Sequence, residues 1–234
     1  MSVQIEWDDL IRGRGPVAAR HRFVDDGAAL AAVLDPAVNL CVWRRAIGTR
    51  LARWMEGVRD GCDLRAQEEL AGAAPDGSSL VSSLPACTER DELQRDMEGL
   101  AARYAAMLGA PRVLASLAVV SDDMCRKFHV DRVGIRALCT YSGPGTEWVP
   151  EHAVLRTGLD REAESLASGN RSVVPNAAEV CALEVGWVGL LKGSEWPGNA
   201  WHGVVHRSPP VGSVGLRRVL FKLDLDPERR LRDR

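Results

Sequence analysis

The chain has 234 residues, 46% of them hydrophobic and 26% charged, with a formal net charge of −2. A charge so close to zero removes the electrostatic case for nucleic acid or an anionic membrane as principal partner, and the apolar fraction excludes a disordered chain. At this length a single domain is expected, with a mainly helical support region (1–110), a β-rich core (111–226) and a charged tail (227–234).

The opening MSVQIEWDDLIRGRG places acids where a secretory leader needs basic residues and then an apolar run. No run reaches the roughly 18 apolar residues of a membrane span, so a cytoplasmic protein is expected. His21 reads as a surface residue in a basic, polar stretch. A short helix is predicted over 25–36, stopped by Pro36, then a strand over 38–45 from its β-branched and aromatic content. Residues 48–72 carry Leu51, Trp54, Met55 and Val58 at helical spacing, and 73–87 read as a loop. The clearest helix follows. Thr88 is its expected cap, with Asp91 three residues on, and Leu93, Met97, Leu100, Tyr104 and Met107 form its apolar stripe up to Gly109 and Pro111.

Beyond Pro111 the grammar changes. Residues 112–123 suit a strand or a short helix, 128–141 alternate as a strand, and 151–168 read as a crossover with partial helix. Two strands joined at a glycine are expected within 179–193, and strands at 202–207 and 216–224 flank the turn-rich SPPVGSVG. Helices first and antiparallel strands later predict an α+β domain. No GxGxxG or Walker loop is present, which disfavours a nucleotide-binding fold. The six cysteines (41, 62, 87, 125, 139 and 181) form no CxxC pair and read as buried thiols rather than a zinc finger.

The chemistry concentrates in three residues. His129 and Asp131, two apart on a strand, point to one face, and burying either without a partner is costly. His206, far downstream of His129, supplies a third donor. Two imidazoles and one carboxylate leave open positions opposite, as in the facial triad of non-haem Fe(II) oxygenases. Arg217 and Arg218 follow His206 by eleven and twelve positions, and a guanidinium fork suits the far carboxylate of a dicarboxylate co-substrate. Strand parity alone does not choose between them. Val219, Phe221 and Leu223 share the parity of Arg217, while Lys222 and Asp224 share that of Arg218, and both faces of such a sheet can be lined. His152 follows Pro150 and Glu151 in a loop and has no assigned role. A nucleophilic enzyme is disfavoured, because there is no GxSxG and Glu162 and Glu164 sit in a charged, solvated stretch.

The segments HVDRVGIRALCTYSGPGTEWV and VVHRSPPVGSVGLRRVLF resemble the core of Fe(II)/2-oxoglutarate-dependent dioxygenases of the prolyl-hydroxylase-like branch. The resemblance covers about 125–224. It implies helices packed on a double-stranded β-helix, a cupin or jelly-roll-like barrel, with His129, Asp131 and His206 as iron ligands. It also implies Arg217, favoured over Arg218 by the motif, as the 2-oxoglutarate anchor, with Thr140 and Tyr141 in the strand lining that pocket. The compact SGPGTEW departs from the longer turn of that family. The pattern CxKFHxD…LCTYxGPGTEW…LKGxxW…VHRSP also resembles a bacterial domain family of unknown function, DUF1826. Its members occur beside metallochaperone-type GTPases, which implies a zinc-homeostasis partner and Zn(II) alone as the alternative cofactor.

Three further residues belong to the candidate set. Cys125 is either a soft neighbour of the metal or a buried thiol. His202 is either a substitute ligand or an exposed loop residue beside Trp201. Lys192 either binds an anionic substrate or snorkels to the surface. Trp148, Trp187, Trp196 and Trp201 are equally suited to pocket walls and to core filling.

Overall fold

A computed structural model describes residues 20–122 and 125–225. The opening segment and the charged tail lie outside the described residues. In chain order come β1 (Arg20–Val24), β2 (Val38–Trp43), α1 (Thr49–Gly61), β3 (Arg65–Ala71), α2 (Thr88–Leu108), β4 (Arg112–Val120), β5 (Ile135–Ser142), β6 (Glu147–Trp148), α3 (Leu166–Val173), β7 (Cys181–Ala182), β8 (Val188–Lys192), β9 (His206–Arg207) and β10 (Arg218–Leu225). Seven strands form one sheet in the order β1-β2-β8-β5-β10-β4-β3, and three short ones form a second in the order β7-β6-β9. Every pairing is antiparallel except β1 with β2, which is parallel.

Alternation along the strands gives the large sheet two covered faces. Val113, Ala115 and Leu117 of β4 and Val219, Phe221 and Leu223 of β10 pack with Leu51 and Met55 of α1 and with Leu93, Met97 and Tyr104 of α2. Each Val, Leu, Met or Phe side chain among them contributes roughly 1.5–3 kcal/mol on burial. On the opposite face Leu40, Val42, Leu138 and Leu191 meet Trp148, Leu183 and Val204, so the small sheet caps part of the large one. No helix among the described residues is long and apolar enough to cross a membrane.

Several expectations shift. The region 1–110 supplies β1, β2 and β3 as well as helices, so it builds three strands of the large sheet besides packing on it. The helix expected over 48–72 stops at Gly61, and Arg65–Ala71 is an edge strand in which only Leu70 is buried. Its polar side chains hide its β character, and the same polarity protects an open edge from pairing with another chain. Ala28–Leu34 is a 3-10 helix. Helix α2 starts at its expected cap, Thr88, so that Cys87 holds the N-cap position and no side chain caps it. Its end agrees with the sequence, because Gly109 is left-handed (φ 59°) and its N–H bonds to the carbonyls of Ala105 and Ala106. The strand expected over 128–141 is regular only from Ile135. The crossover contains short 3-10 turns, then α3, whose N-terminus carries a reciprocal capping box between Ser165 and Ser168.

Candidate metal centre

The segment before β5 is held from two sides. Phe128 packs with Val149, Val173, Val174 and Val205. The side-chain amide of Asn170 on α3 accepts from the Phe128 N–H (2.8 Å) and donates to the Arg126 carbonyl (3.1 Å), taking the place of a neighbouring strand. On the other side the main chain of His129 exchanges two hydrogen bonds of 3.0 Å with that of His206. Residues paired in this way project their side chains together. The two imidazole centroids lie 4.6 Å apart.

Each imidazole is oriented by its own backbone. Nδ1 of His129 donates to the Lys127 carbonyl (2.8 Å), and Nδ1 of His206 donates to the Val204 carbonyl (3.0 Å). A carbonyl only accepts, so both Nδ1 atoms carry the proton and both Nε2 lone pairs turn inward. They face the Asp131 carboxylate: His129 Nε2 is 3.5 Å from Oδ1 and His206 Nε2 is 3.3 Å from Oδ2. One donor atom from each residue lies within 4.8 Å of the others. Lone pairs converging at this range need a cation between them, either a proton or a metal ion.

Asp131 sits in irregular backbone and is fixed by tertiary contacts. Its carbonyl accepts from the Ser194 N–H (2.9 Å). A Cβ on Gly193 would lie 2.5 Å from that same carbonyl oxygen, so the LLKG segment requires glycine there. Its carboxylate accepts from Arg136 Nη1 at 2.5 Å. Arg136 is in turn gripped by Asp224, which lies opposite it on β10, through Nε (2.8 Å) and Nη2 (2.9 Å). Burial pushes the Asp131 carboxyl toward protonation, but hydrogen bonds from His129 and His206 and the charges of His206 and Arg136 overcome it and hold the group far below the usual range. For His129, burial lowers the imidazole pKa, yet Asp131 and the Lys127 carbonyl prevail and the net shift is upward.

The two arginines separate. Arg217 turns to the outside, donating to Asp63 (2.7 Å) and to the carbonyl of Cys62 (2.6 Å). Arg218 is 3% exposed. Its Nη1 donates to Thr146 Oγ1 and its Nη2 to Ser208 Oγ, both at 3.1 Å, and its buried Nε has no partner. Among the described residues no carboxylate forms an ion pair with it. Burial lowers its pKa to about 10, with the charges of Asp122, Cys125 and Glu147 opposing. Ser208 stands two residues past His206, and Thr146 two before Trp148, the residue opposite His206. The buried cation and the triad therefore share one edge of the small sheet.

The other candidates scatter. Thr140 lies opposite Leu220, on the face that meets the small sheet, whereas Tyr141 turns to the helices and donates to Asp96 (2.5 Å), itself paired with Arg45. Adjacent strand residues point apart, so Tyr141 belongs to the helix-side core. Cys125 is exposed, with φ 60°, and is not a continuation of a strand. His202 is half-buried, has an unpartnered Nδ1, and is not among the converging donors. Lys192 neither snorkels nor reaches the triad; it is buried on the helix side, donates to the Asp35 carbonyl (2.9 Å) and lies over the Trp196 ring. Trp148 is buried between the sheets, while Trp201 is 78% exposed. His152 pairs loosely with Glu179 (3.4 Å) on the surface. Sequence reasoning passed over Arg136, Thr146, Asn170 and Ser208. The two-residue strand period counted outward from His206 and Trp148 leads to Ser208 and Thr146; nothing local marks Asn170.

The family described as "Protein of unknown function (DUF1826)" matches residues 24–224. No curated protein matches the chain. Among solved structures, a Pseudomonas putida prolyl-4-hydroxylase is 12% identical, with 90% of this chain and 98% of that one covered and a TM-score of 0.42. A full-length Neurospora crassa protein, solved in complex with alpha-KG, is 11% identical over 86% of this chain and 78% of that one, with a TM-score of 0.42. A bsmA homolog from Methylobium petroleophilum is 14% identical over 86% and 93%, with a TM-score of 0.43.

Proposed function

The chain belongs to the DUF1826 family, and from the geometry of its site we propose that it is a non-haem Fe(II)- and 2-oxoglutarate-dependent oxygenase that hydroxylates a C–H bond. The observation that carries this reading is Arg218. A buried guanidinium whose hydrogen-bond partners among the described residues are two hydroxyls, with its Nε unpartnered, is an expensive arrangement unless an anion completes it. Zinc on the same three donors would account for the triad and leave that cation unexplained.

The donor set fits the ion. Both imidazoles present Nε2 in the metal-binding tautomer, and the carboxylate is ionised. His129, Asp131 and His206 would hold Fe(II) from one side. When bound, iron with 2-oxoglutarate and oxygen supplies oxidising power, with decarboxylation of the co-substrate to succinate. Arg218, Thr146 and Ser208 would receive the distal carboxylate of this five-carbon diacid, one strand period from His206. Trp148, Leu138 and Val204 pack between the sheets and keep water from that interior. The two facing sheets are read as the walls of a double-stranded β-helix.

The test is anaerobic reconstitution of metal-free protein with Fe(II) and 2-oxoglutarate. The expected result is a weak visible charge-transfer band, followed by succinate on exposure to oxygen. Absence of both, with zinc retained stoichiometrically, would overturn the oxygenase reading.

A further inference from the structure

We propose that Arg136, held by Asp224, is the positioning residue that presents Asp131 to the metal through a single carboxylate oxygen. The inference rests on the metal-site reading above and deepens it. Asp131 has no regular strand to aim it, since the chain is irregular from Val130 to Gly134. A carboxylate on such backbone has two free torsions and two equivalent oxygens. Arg136 removes that freedom. Its Nη1 takes Oδ2 at 2.5 Å, while its Nε and Nη2 are occupied by the two oxygens of Asp224. Asp224 is 5% exposed and lies directly across the β5–β10 pair from Arg136. The fork is therefore anchored in the interior of the large sheet, and its remaining arm points at the ligand.

This arrangement differs from a simple fold-pinning ion pair. Arg136 and Asp224 already satisfy each other bidentately, so the third contact is surplus to joining the strands. It is directed to Asp131 Oδ2, the oxygen that also lies 3.3 Å from His206 Nε2, while Oδ1, 3.5 Å from His129 Nε2, has no guanidinium contact and is the oxygen we assign to the ion. Lysine cannot make the same three contacts, because its ammonium is a point charge without a planar fork.

The sign of one measurement separates positioning from mere proximity. A nearby cation repels a divalent ion, so if Arg136 acted only by charge, R136M would tighten metal binding. If it positions Asp131, R136M loosens it. The probe is Co(II) alone, titrated into metal-free protein, with affinity and the visible ligand-field spectrum as readouts. The double variant R136M/D224N keeps the net charge and leaves no buried carboxylate stranded; R136K keeps the cation and loses the fork. Both are expected to bind Co(II) about tenfold or more weakly, with an altered spectrum. An unchanged or tighter affinity in R136K, with the parental spectrum, would overturn the proposal even if the double variant fails to fold. A parent that binds no Co(II), or an H206A variant that binds it as the parent does, would instead refute the metal site itself.

Discussion

The main chains of His129 and His206 hold each other by two hydrogen bonds of 3.0 Å, and their rings lie 4.6 Å apart in consequence. Backbone pairing between segments distant in sequence thus sets the spacing of the two imidazoles. The donor set is fixed before any ion binds.

The first expected outcome follows directly. H129A, D131A and H206A each remove one of three donors and abolish stoichiometric metal retention after dialysis. H152A and H202A leave it intact, since neither residue joins the cluster. Metal analysis of the dialysed proteins checks this, and equal loss in all five would contradict the ligand assignment.

The arginine pair gives a second. R218M should weaken 2-oxoglutarate binding by about 2 kcal/mol, roughly thirtyfold, because a charged hydrogen-bonding partner is lost. R217M should leave that affinity unchanged and cost under about 1 kcal/mol of stability, since its Asp63 partner is fully exposed. Without co-substrate, R218M should unfold at a higher temperature than the parent, because a desolvated cation is gone. Calorimetric titration and thermal unfolding read the two effects separately.

Lys192 yields a pH dependence. Burial lowers its pKa from 10.5 to about 8, with the charge of Asp35 opposing. Below pH 8 the amine is charged in folded and unfolded chains alike, and the folded state carries the full penalty, about 3 kcal/mol. Between pH 8 and 10.5 the unfolded chain binds more protons, so stability rises with pH. K192M should therefore be more stable than the parent at pH 7, with the difference shrinking across that window. Denaturant midpoints at pH 7 and 10 test it; a difference independent of pH would be inconsistent with a buried charge.

Thiol chemistry supplies the fourth. Cys125 is exposed, whereas Cys41 and Cys139 are buried and their pKa values are pushed up to about 11 by that burial. Iodoacetamide should label Cys125 first in the native protein and reach Cys41 and Cys139 only on unfolding. Peptide mapping of a time course decides, and persistence of the fast phase in C125S would refute the assignment.

The triad was legible from the two-residue spacing of His129 and Asp131 and a histidine ahead of a basic strand, although Asp131 lies in irregular backbone rather than on the strand which that spacing implied. Arg218 was passed over as the buried cation because the motif favoured Arg217, although the parity of β10 sets Arg218 with Lys222 and Asp224, opposite the helix-packed Val219, Phe221 and Leu223. Tyr141 was misplaced beside Thr140 because a motif names neighbours without distinguishing the faces they occupy. Edge strand β3 escaped notice for the opposite reason, since its alternation is almost entirely polar. Arg136 shares a strand with recognised residues, yet its role depends on Asp224, which is 88 residues away and meets it only through sheet register.

Asn170 changes what an arriving ion has to accomplish. The amide ties Phe128 to α3 across 42 residues, alongside the pairings of β5 with β8 and of β6 with β9 that close the same stretch of chain. Closure entropy grows only with the logarithm of loop length, but it is met here during folding. An N170A chain would retain all three donors and still bind metal more weakly, because the segment leading into His129 would lose its anchor on α3.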